Sequence, residues 1–316
     1  MVARPAFQPV DAPYRGRFAP SPTGPLHFGS LVAALGSYAE ARAQGGEWWV
    51  RMEDLDRPRE VPGAALAILA TLEAFGFEWD GPVLYQSQRT DAYAAALDHL
   101  GEQGLLYACA CSRREIAAAG IPGPEGPLYP GTCRTKATRG RGARAIRLRV
   151  ETPPISFQDA VQGLVTQDLE MEVGDFILRR ADGLHAYQLA VVVDDALQGI
   201  SHVVRGADLI RSTPRQILLQ HYLGLPTPAY AHLPLALDSE GRKLSKSDAA
   251  APVDSRNPVP TLLQAWAFLG QPAFAEPPLN PAEFWSQALA SWRLARVPRA
   301  ASRPQVIPSK MAGIIP

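Results

Sequence analysis

The hydrophobic and polar positions near the N-terminus first follow the period of a strand and then that of a helix. Residues 14–19 predict a short strand, and a loop rich in Pro and Gly follows it. Apolar residues then recur at helical spacing as Leu31, Leu35 and Tyr38. The pattern therefore predicts a β-loop-α unit.

The alternation continues over the next fifty residues. Residues 47–54, EWWVRMED, predict a strand with Trp49, Arg51 and Glu53 on one face. Residues 61–76, VPGAALAILATLEAFG, predict a helix with Pro62 in its first turn. Its apolar stripe consists of Leu66, Leu69 and Leu72. Alternating strands and helices predict an α/β fold with a doubly wound parallel sheet of the Rossmann type.

The pattern also predicts where this sheet is interrupted. Residues 105–185 are rich in Arg, Gly and Pro and contain every cysteine, so we predict an inserted α+β domain there. Sheet character returns with AYQLAVVVDD (186–195) and SHVVRG (201–206), before a helix that Thr213 can cap, with Pro214 in its first turn. The predicted domains are 1–104 and 186–250 for the two halves of the sheet, 105–185 for the insertion, and 251–316 for a short helical C-terminal segment and tail.

Composition and charge limit the possible classes of protein. The chain has 316 residues, 47% of them apolar, and its 31 basic and 31 acidic residues cancel, so a nucleic-acid partner must contact a local basic patch. The N-terminus lacks an apolar signal core, and no stretch is apolar enough to span a membrane. We expect a cytoplasmic protein, and a monomer, since nothing in the sequence demands a dimer.

Two loops have the composition of phosphate-binding segments. RFAPSPTGPLHFGS (17–30) leads from the first strand into a helix, whose N-terminal amides suit phosphate, with Gly24 and Gly29 allowing close approach and His27 as a donor. GRKLSKS (241–247) carries Lys243 and Lys246, which could close onto a polyphosphate. The alternatives are a tight turn with a surface histidine and a solvated basic loop.

The three cysteines lie within 25 residues of one another and suggest a metal site. Cys109, Cys111 and Cys133 supply three thiolates, and Tyr129 can complete a tetrahedral zinc site as a phenolate. Such a site would be structural, stapling an insertion that is poor in apolar residues. The alternative is three small buried thiols with Tyr129 packed beside them.

Taken together, these motifs resemble those of class I aminoacyl-tRNA synthetases. HFGS (27–30) is similar to the HIGH-type motif and KLSKS (243–247) to the KMSKS-type motif. RFAPSPTGPLHFGS, RMEDLDRPRE, DGLHAYQLAVVVDD, VVRGADLI and KLSKS resemble the glutamyl branch, from about Tyr14 to residue 250.

The resemblance implies roles for particular residues. Arg17 and Arg205 would bind the glutamate side-chain carboxylate, Tyr187 would add a hydroxyl, and Glu53 would bind the α-ammonium. The whole implied glutamate site is Arg17, Phe18, Ala19, Pro20, Ser21, Glu53, Tyr187 and Arg205. Asp54 and Asp56 are interpreted as ordinary members of a charged strand end.

The implied reaction is adenylyl transfer to glutamate from ATP with Mg²⁺. A carboxylate nucleophile needs no general base, so positioning and charge stabilisation suffice. The implied catalytic residues are His27, Ser30, Lys243 and Lys246, and the implied ATP contacts are His27, Gly29, Ser30 and Lys246. Ser30 departs from the second histidine of the HIGH pattern and leaves only a hydroxyl there.

Two further features bear on the RNA partner. Residues 133–149 contain seven basic residues and no acidic one; they predict either a surface that contacts tRNA phosphates or a solvated loop. Only 69 residues follow Ser247, too few for a helical anticodon-binding domain. The chain thus resembles the glutamyl-Q tRNA(Asp) synthetases, which transfer glutamate to the queuosine base at the wobble position of tRNA(Asp). The alternatives are a compact synthetase that charges the tRNA 3′ end and a catalytically silent RNA-binding scaffold.

Overall fold

The computed structural model describes residues 13–120, 122–123, 126–135, 144–237 and 251–304. Its first half is a parallel sheet of three strands in the order β1 (Arg15–Phe18), β2 (Glu47–Met52) and β3 (Leu84–Tyr85). Three helices connect and follow these strands: α1 (Phe28–Ala43), α2 (Ala64–Ala74) and α3 (Thr90–Glu102). The predicted strand–helix alternation is confirmed here.

The middle of the chain forms smaller sheets. Its elements in chain order are β4 (Leu106–Cys109), α4 (Arg113–Ala119), β5 (Pro122–Gly123), β6 (Gly126–Pro127), α5 (Thr132–Thr135), β7 (Ala145–Leu148), β8 (Ile155–Asp159), β9 (Gly163–Gln167), α6 (Leu169–Glu172) and β10 (Ile177–Arg179). Strands β10, β7 and β4 form an antiparallel sheet, β5 pairs with β6, and β8 and β9 form a hairpin.

The second half returns to parallel pairing. Helix α7 (Tyr187–Leu197) precedes β11 (His202–Gly206), and α8 (Thr213–Tyr222) precedes β12 (Ala229–Leu233), which pairs parallel with β11. The Ser201 amide donates to the Arg15 carbonyl at 3.0 Å, which places β11 beside β1. Strand β12 also pairs with β8, so the hairpin within residues 105–185 extends the main sheet.

The C-terminal segment is part of the same body. Strand β13 (Leu235–Leu237) pairs with β14 (Ser302–Pro304), and between them lie α9 (Pro258–Phe268) and α10 (Pro281–Ser291), where sequence patterning predicted helices. Trp266 and Trp285 share a core with Trp48 of β2. The Trp292 indole donates to the buried Glu40 at 2.6 Å. Burial of three large indoles fixes this segment against the first half of the chain.

Four local predictions were wrong. Pro62 precedes α2, whose N-cap is Gly63, and so does not lie in its first turn. Residues 187–195 belong to α7 rather than to a strand, because a run of buried valines does not distinguish the two by periodicity. Leu66 is 70% exposed, and Ile68 takes its place on the buried face of α2. Thr213 is the first residue of α8, and its hydroxyl accepts from Arg205 instead of capping the helix.

Among the described residues, no helix is both long enough and apolar enough to cross a membrane.

Candidate active site

A cavity of about 750 Å³ opens at the carboxyl ends of β1, β2, β11 and β12. Open parallel sheets generally bind their ligands at this edge. The residues predicted from the sequence that line it are Arg17, Phe18, Ala19, Pro20, Ser21, His27, Gly29, Ser30, Glu53, Tyr187 and Arg205. Side chains separated by almost 190 positions along the chain therefore meet in one cavity.

A buried charge network holds one side of this cavity. Arg17 donates through Nε to Asp195 Oδ1 at 3.3 Å, and Arg51 donates through Nη1 to the same oxygen at 2.7 Å. Arg51 is fully buried, and its Nη2 lies 3.4 Å from Glu53 Oε1. Two arginines and two carboxylates thus fix one another's positions, with Arg17 and Glu53 lining the cavity.

The pKa values of the two carboxylates in this network are shifted in opposite directions. Burial raises the pKa of Glu53, and the charges of Arg51 and Arg17 offset it only in part. Burial acts on Asp195 as well, but the charges of Arg17 and Arg51 lower its pKa. Glu53 is therefore the carboxylate that gains most from a cationic ligand group, since such a group would supply the missing compensation.

The opposite side of the cavity is built around Arg205 at the end of β11. Its Nη2 donates to Thr213 Oγ1 and Gln216 Oε1, both at 2.8 Å, and its Nε donates to His232 Nε2 at 3.1 Å. Its Nη1 lies 3.4 Å from the Tyr187 hydroxyl. Because its three nitrogens already have partners, the Arg205 side chain is ordered before a ligand binds. It can therefore bind a planar carboxylate with little further loss of side-chain entropy.

The third side of the cavity is the N-terminus of α1. His27 is the N-cap residue: its Nδ1 accepts from the Ser30 amide at 3.3 Å, and its Nε2 lies 3.0 Å from Ser30 Oγ. The first-turn residues Gly29 and Ser30 line the cavity. The positive end of the helix dipole therefore faces the cavity, as a phosphate site requires. Ser30 contacts His27 directly.

Two predicted groups lie outside the described residues. Lys243 and Lys246 belong to residues 238–250, and part of the basic tract belongs to residues 136–143. Within the described part of that tract, Arg134 is paired with the buried Asp175, and the Arg147 guanidinium lies 3.9 Å from the Tyr129 ring centroid. Both guanidinium groups already have partners within residues 105–185, and Arg147 is buried, so the tract is not uniformly a surface.

The acidic residues after β2 have local partners, and Asp56 also lines the cavity. Asp54 accepts from the Ser87 amide at 2.8 Å, and Asp56 pairs with Arg59 at 2.6 Å. Neither of these two contacts involves Arg17, Arg51 or Asp195.

The cysteines form a cluster of suitable geometry for a metal. The Sγ atoms of Cys109, Cys111 and Cys133 all lie within 4.8 Å of one another, and Cys111 Sγ is 3.9 Å from the Tyr129 hydroxyl. Tetrahedral zinc with bonds of about 2.3 Å places its sulfurs about 3.8 Å apart, so the donor set fits that ion. Burial opposes ionisation of Cys133, but hydrogen bonds from Tyr129, the Ala110 amide and the other thiols lower its pKa to about 7.

Sequence reasoning missed Asp195 and His232. Asp195 lies in the segment predicted to be a strand. In a strand it would lie on the same face as Tyr187, eight residues earlier, but far from it along the sheet. His232 contacts Arg205 only because β12 pairs with β11 in register, Arg205 opposite His232. No local pattern marks such a pair before the strand order is known.

Comparison with known proteins identifies relatives of the whole chain. A family model described as tRNA synthetases class I (E and Q), catalytic domain, matches residues 14–259. A Dechloromonas aromatica (strain RCB) protein named glutamyl-Q tRNA(Asp) synthetase is 60% identical over 297 residues, covering 92% of this chain and 97% of that protein. A protein of the same name from Chromobacterium violaceum is 55% identical, covering 91% and 96%.

Solved structures agree with the fold. A glutamate tRNA ligase from Elizabethkingia meningosepticum CCUG26117, crystallised in complex with its amino acid, aligns with a TM-score of 0.76 at 26% identity. The alignment covers 92% of this chain and 67% of that one. The glutamate-tRNA synthetase of Elizabethkingia anophelis aligns with a TM-score of 0.78 at 24% identity and supports the fold alone.

Proposed function

The chain belongs to the class I tRNA synthetases for glutamate and glutamine, and from this premise we propose that it activates L-glutamate with ATP and transfers it to the queuosine base of tRNA(Asp). The observation that carries the proposal is the single cavity in which Arg17, Glu53, Tyr187 and Arg205 meet the N-terminus of α1. One end has the charges that glutamate requires, and the other has the amides that phosphate requires.

Glutamate binding uses both sides of the cavity. The side-chain carboxylate pairs with Arg205 and Arg17, and the Tyr187 hydroxyl donates to it. The α-ammonium pairs with Glu53, whose raised pKa shows that burial leaves its charge under-compensated in the free protein. Phe18, Ala19, Pro20 and Ser21 form the adjoining wall, where Ser21 can hydrogen-bond the amino-acid backbone.

Activation then needs orientation rather than a general base. An oxygen of the α-carboxylate attacks the α-phosphorus of ATP, the bond to the bridging oxygen breaks, and pyrophosphate leaves with that electron pair. His27, the amides of Gly29 and Ser30, and Lys243 and Lys246 stabilise the phosphate charge. Mg²⁺ bound to ATP neutralises part of the same charge.

Transfer follows from the glutamyl-adenylate. A hydroxyl oxygen of the queuosine cyclopentenediol attacks the carbonyl carbon, the carbon–oxygen bond to AMP breaks, and the hydroxyl proton is released. The product is an ester on the wobble base. The insertion grips the anticodon stem-loop, and its basic tract contacts phosphates.

Cys109, Cys111, Cys133 and Tyr129 would hold a zinc ion that stabilises the insertion. Its role would be structural, since four protein ligands would leave no open position for chemistry. The enzyme acts as a monomer in the cytoplasm, where its tRNA substrate is found.

The test is transfer of labelled glutamate, with ATP and Mg²⁺, to purified tRNA(Asp) with and without queuosine and to tRNA(Glu). Label on queuosine-bearing tRNA(Asp) alone is the expected result. Label on tRNA(Glu) instead would assign a compact charging enzyme. Absence of glutamate-dependent pyrophosphate exchange would contradict activation altogether.

A further inference from the structure

Three buried side chains are linked by hydrogen bonds, and the last of them, Arg205, lies at the cavity wall. Asp159, at the end of β8, lies with Oδ2 2.6 Å from His232 Nδ1, and Arg205 Nε donates to His232 Nε2 at 3.1 Å. Asp159 is 1% exposed, His232 0% and Arg205 5%. The proposed reaction assigns no role to Asp159 or His232, yet both are buried polar groups with specific partners.

The contacts determine where the imidazole proton lies. An arginine Nε always carries hydrogen, so His232 Nε2 must accept, and the single proton of a neutral ring must be on Nδ1, donated to Asp159. Burial and the charge of Arg205 keep the pKa of His232 below its ordinary value. A neutral ring with the Nδ1 proton is thus the form that satisfies both neighbours.

Asp159 is itself fixed by the backbone. Its Oδ1 accepts from the amides of Gln162 at 2.8 Å, Val161 at 3.0 Å and His232 at 3.1 Å. Three amides on one oxygen leave Oδ2 as the only partner for the imidazole, and they allow the carboxylate no rotation that would exchange the two oxygens.

The Arg205 guanidinium is consequently held through Nε and Nη2, the atoms that point away from the cavity. His232 takes Nε, Thr213 and Gln216 take Nη2, and only Nη1 is directed to Tyr187 in the cavity. We infer that Asp159 and His232 are positioning residues that hold Arg205 in the orientation that binds the substrate carboxylate. The inference rests on the proposed function, since it takes glutamate as the substrate.

This arrangement ties the hairpin to substrate binding. Asp159 and the amides of Val161 and Gln162 belong to β8 and the turn that follows it, and none of the three residues lines the cavity. The hairpin therefore contributes to amino-acid affinity without contacting the amino acid.

Asp159→Asn is the most direct test. The three amides keep Oδ1 as an acceptor, so the new amide nitrogen must face His232 Nδ1 and force the ring proton onto Nε2, opposite the Arg205 N–H. We expect the KM for glutamate in pyrophosphate exchange to rise about 10- to 100-fold, while the KM for ATP changes less than about threefold. Asp175→Asn, which removes an equally buried carboxylate elsewhere, should leave both KM values unchanged.

Two substitutions of His232 separate positioning from mere support of the fold. His232→Gln can keep an acceptor near the Nε2 position, whereas His232→Asn keeps a polar group near Nδ1 only. If His232 positions Arg205, the KM for glutamate should be lower in His232→Gln than in His232→Asn. Equal KM values, or the opposite order, would overturn the inference.

Nitrogen NMR of histidine-labelled wild-type protein, with the His232 signal assigned by its loss in His232→Gln, gives a test without a functional readout. A proton on Nδ1 is expected, moving to Nε2 in Asp159→Asn; a wild-type proton on Nε2 would refute the inference even if the variants fail to fold. If the wild-type enzyme shows no glutamate-dependent exchange, the proposed function fails instead, and the NMR result still decides the proton position.

Discussion

Two buried aspartates, Asp195 and Asp175, have nearly the same chemistry in different surroundings. Asp195 accepts from Arg17 and Arg51 beneath the cavity. Asp175 accepts from Arg134 Nε at 2.5 Å, from the Val150 amide at 2.8 Å and from the Tyr107 hydroxyl. Burial opposes ionisation of both, and their hydrogen-bonded arginines nevertheless lower the pKa of each.

Asp195 and Asp175 differ in whether an arginine that donates to them lines the cavity. Arg17 lines the proposed glutamate site, so Asp195 presents a cation to solvent and ligand. The partners of Asp175 instead flank the cysteines: Tyr107 precedes Cys109 on β4, and Arg134 follows Cys133 on α5. Because a buried ion pair gains little net stability, its function depends on what the paired arginine contacts next.

The largest effect is expected on the cavity side at Arg205. Arg205→Ala removes two or more charge-assisted hydrogen bonds of about 1.5–3 kcal/mol each, so glutamate-dependent pyrophosphate exchange should fall on the order of 10³-fold. The control is Arg211→Ala, which removes an arginine from the following segment that does not line the cavity. Near-normal exchange by Arg205→Ala would remove Arg205 from the site.

Asp195→Asn should weaken both activity and stability. Loss of the carboxylate charge leaves Arg51 buried without a full counter-charge, at a cost of about 3 kcal/mol of unfolding free energy, and releases Arg17 from its position. We expect the KM for glutamate to rise about tenfold or more, measured by exchange beside urea unfolding. A variant that lost stability alone would make Asp195 equivalent to Asp175 and erase the contrast between them.

Cys111→Ser tests the insertion side and should have little effect on activation. One of three thiolates is lost, so zinc measured by elemental analysis should fall and the insertion should unfold at lower temperature. Pyrophosphate exchange should stay within about threefold, because the cysteine cluster is not part of the cavity lining.

Ser112→Ala is the matched control for the cysteine variant. It removes the cap of α4 in the neighbouring position, at a cost of about 1 kcal/mol, without removing sulfur. Zinc content should therefore be retained in the control. Unchanged zinc in Cys111→Ser would refute the metal assignment.

The smallest effect concerns acid stability. Since the folded-state pKa of Asp175 lies below its ordinary value, its stabilisation is present above about pH 4 and is lost as the pH falls through the folded-state pKa. Asp175→Asn should lower the unfolding free energy at pH 7 by about 1–3 kcal/mol and should show a shallower decline between pH 5 and pH 3. Urea unfolding at several pH values measures both, and an unchanged acid slope would contradict the assignment.

Much of the fold and of the site follows from local pattern. The strand–loop–helix unit at β1 and α1 is visible because prolines and a glycine separate the two elements and apolar residues recur at helical spacing after them. The valine run of α7 is the counterexample. It is buried on most sides, so its period carries no information about helix or strand.

The sequence by itself determined which residue types are available to the site: the arginines, Glu53, the glycine-rich loop before α1 and the clustered cysteines. Only the tertiary structure decided which of them are held and by what. Asp195 of α7 accepts from Arg17 of β1, and His232 contacts Arg205 because β12 pairs with β11 in register. Such contacts depend on strand order and on burial from several sides, and neither is a property of any local stretch of sequence.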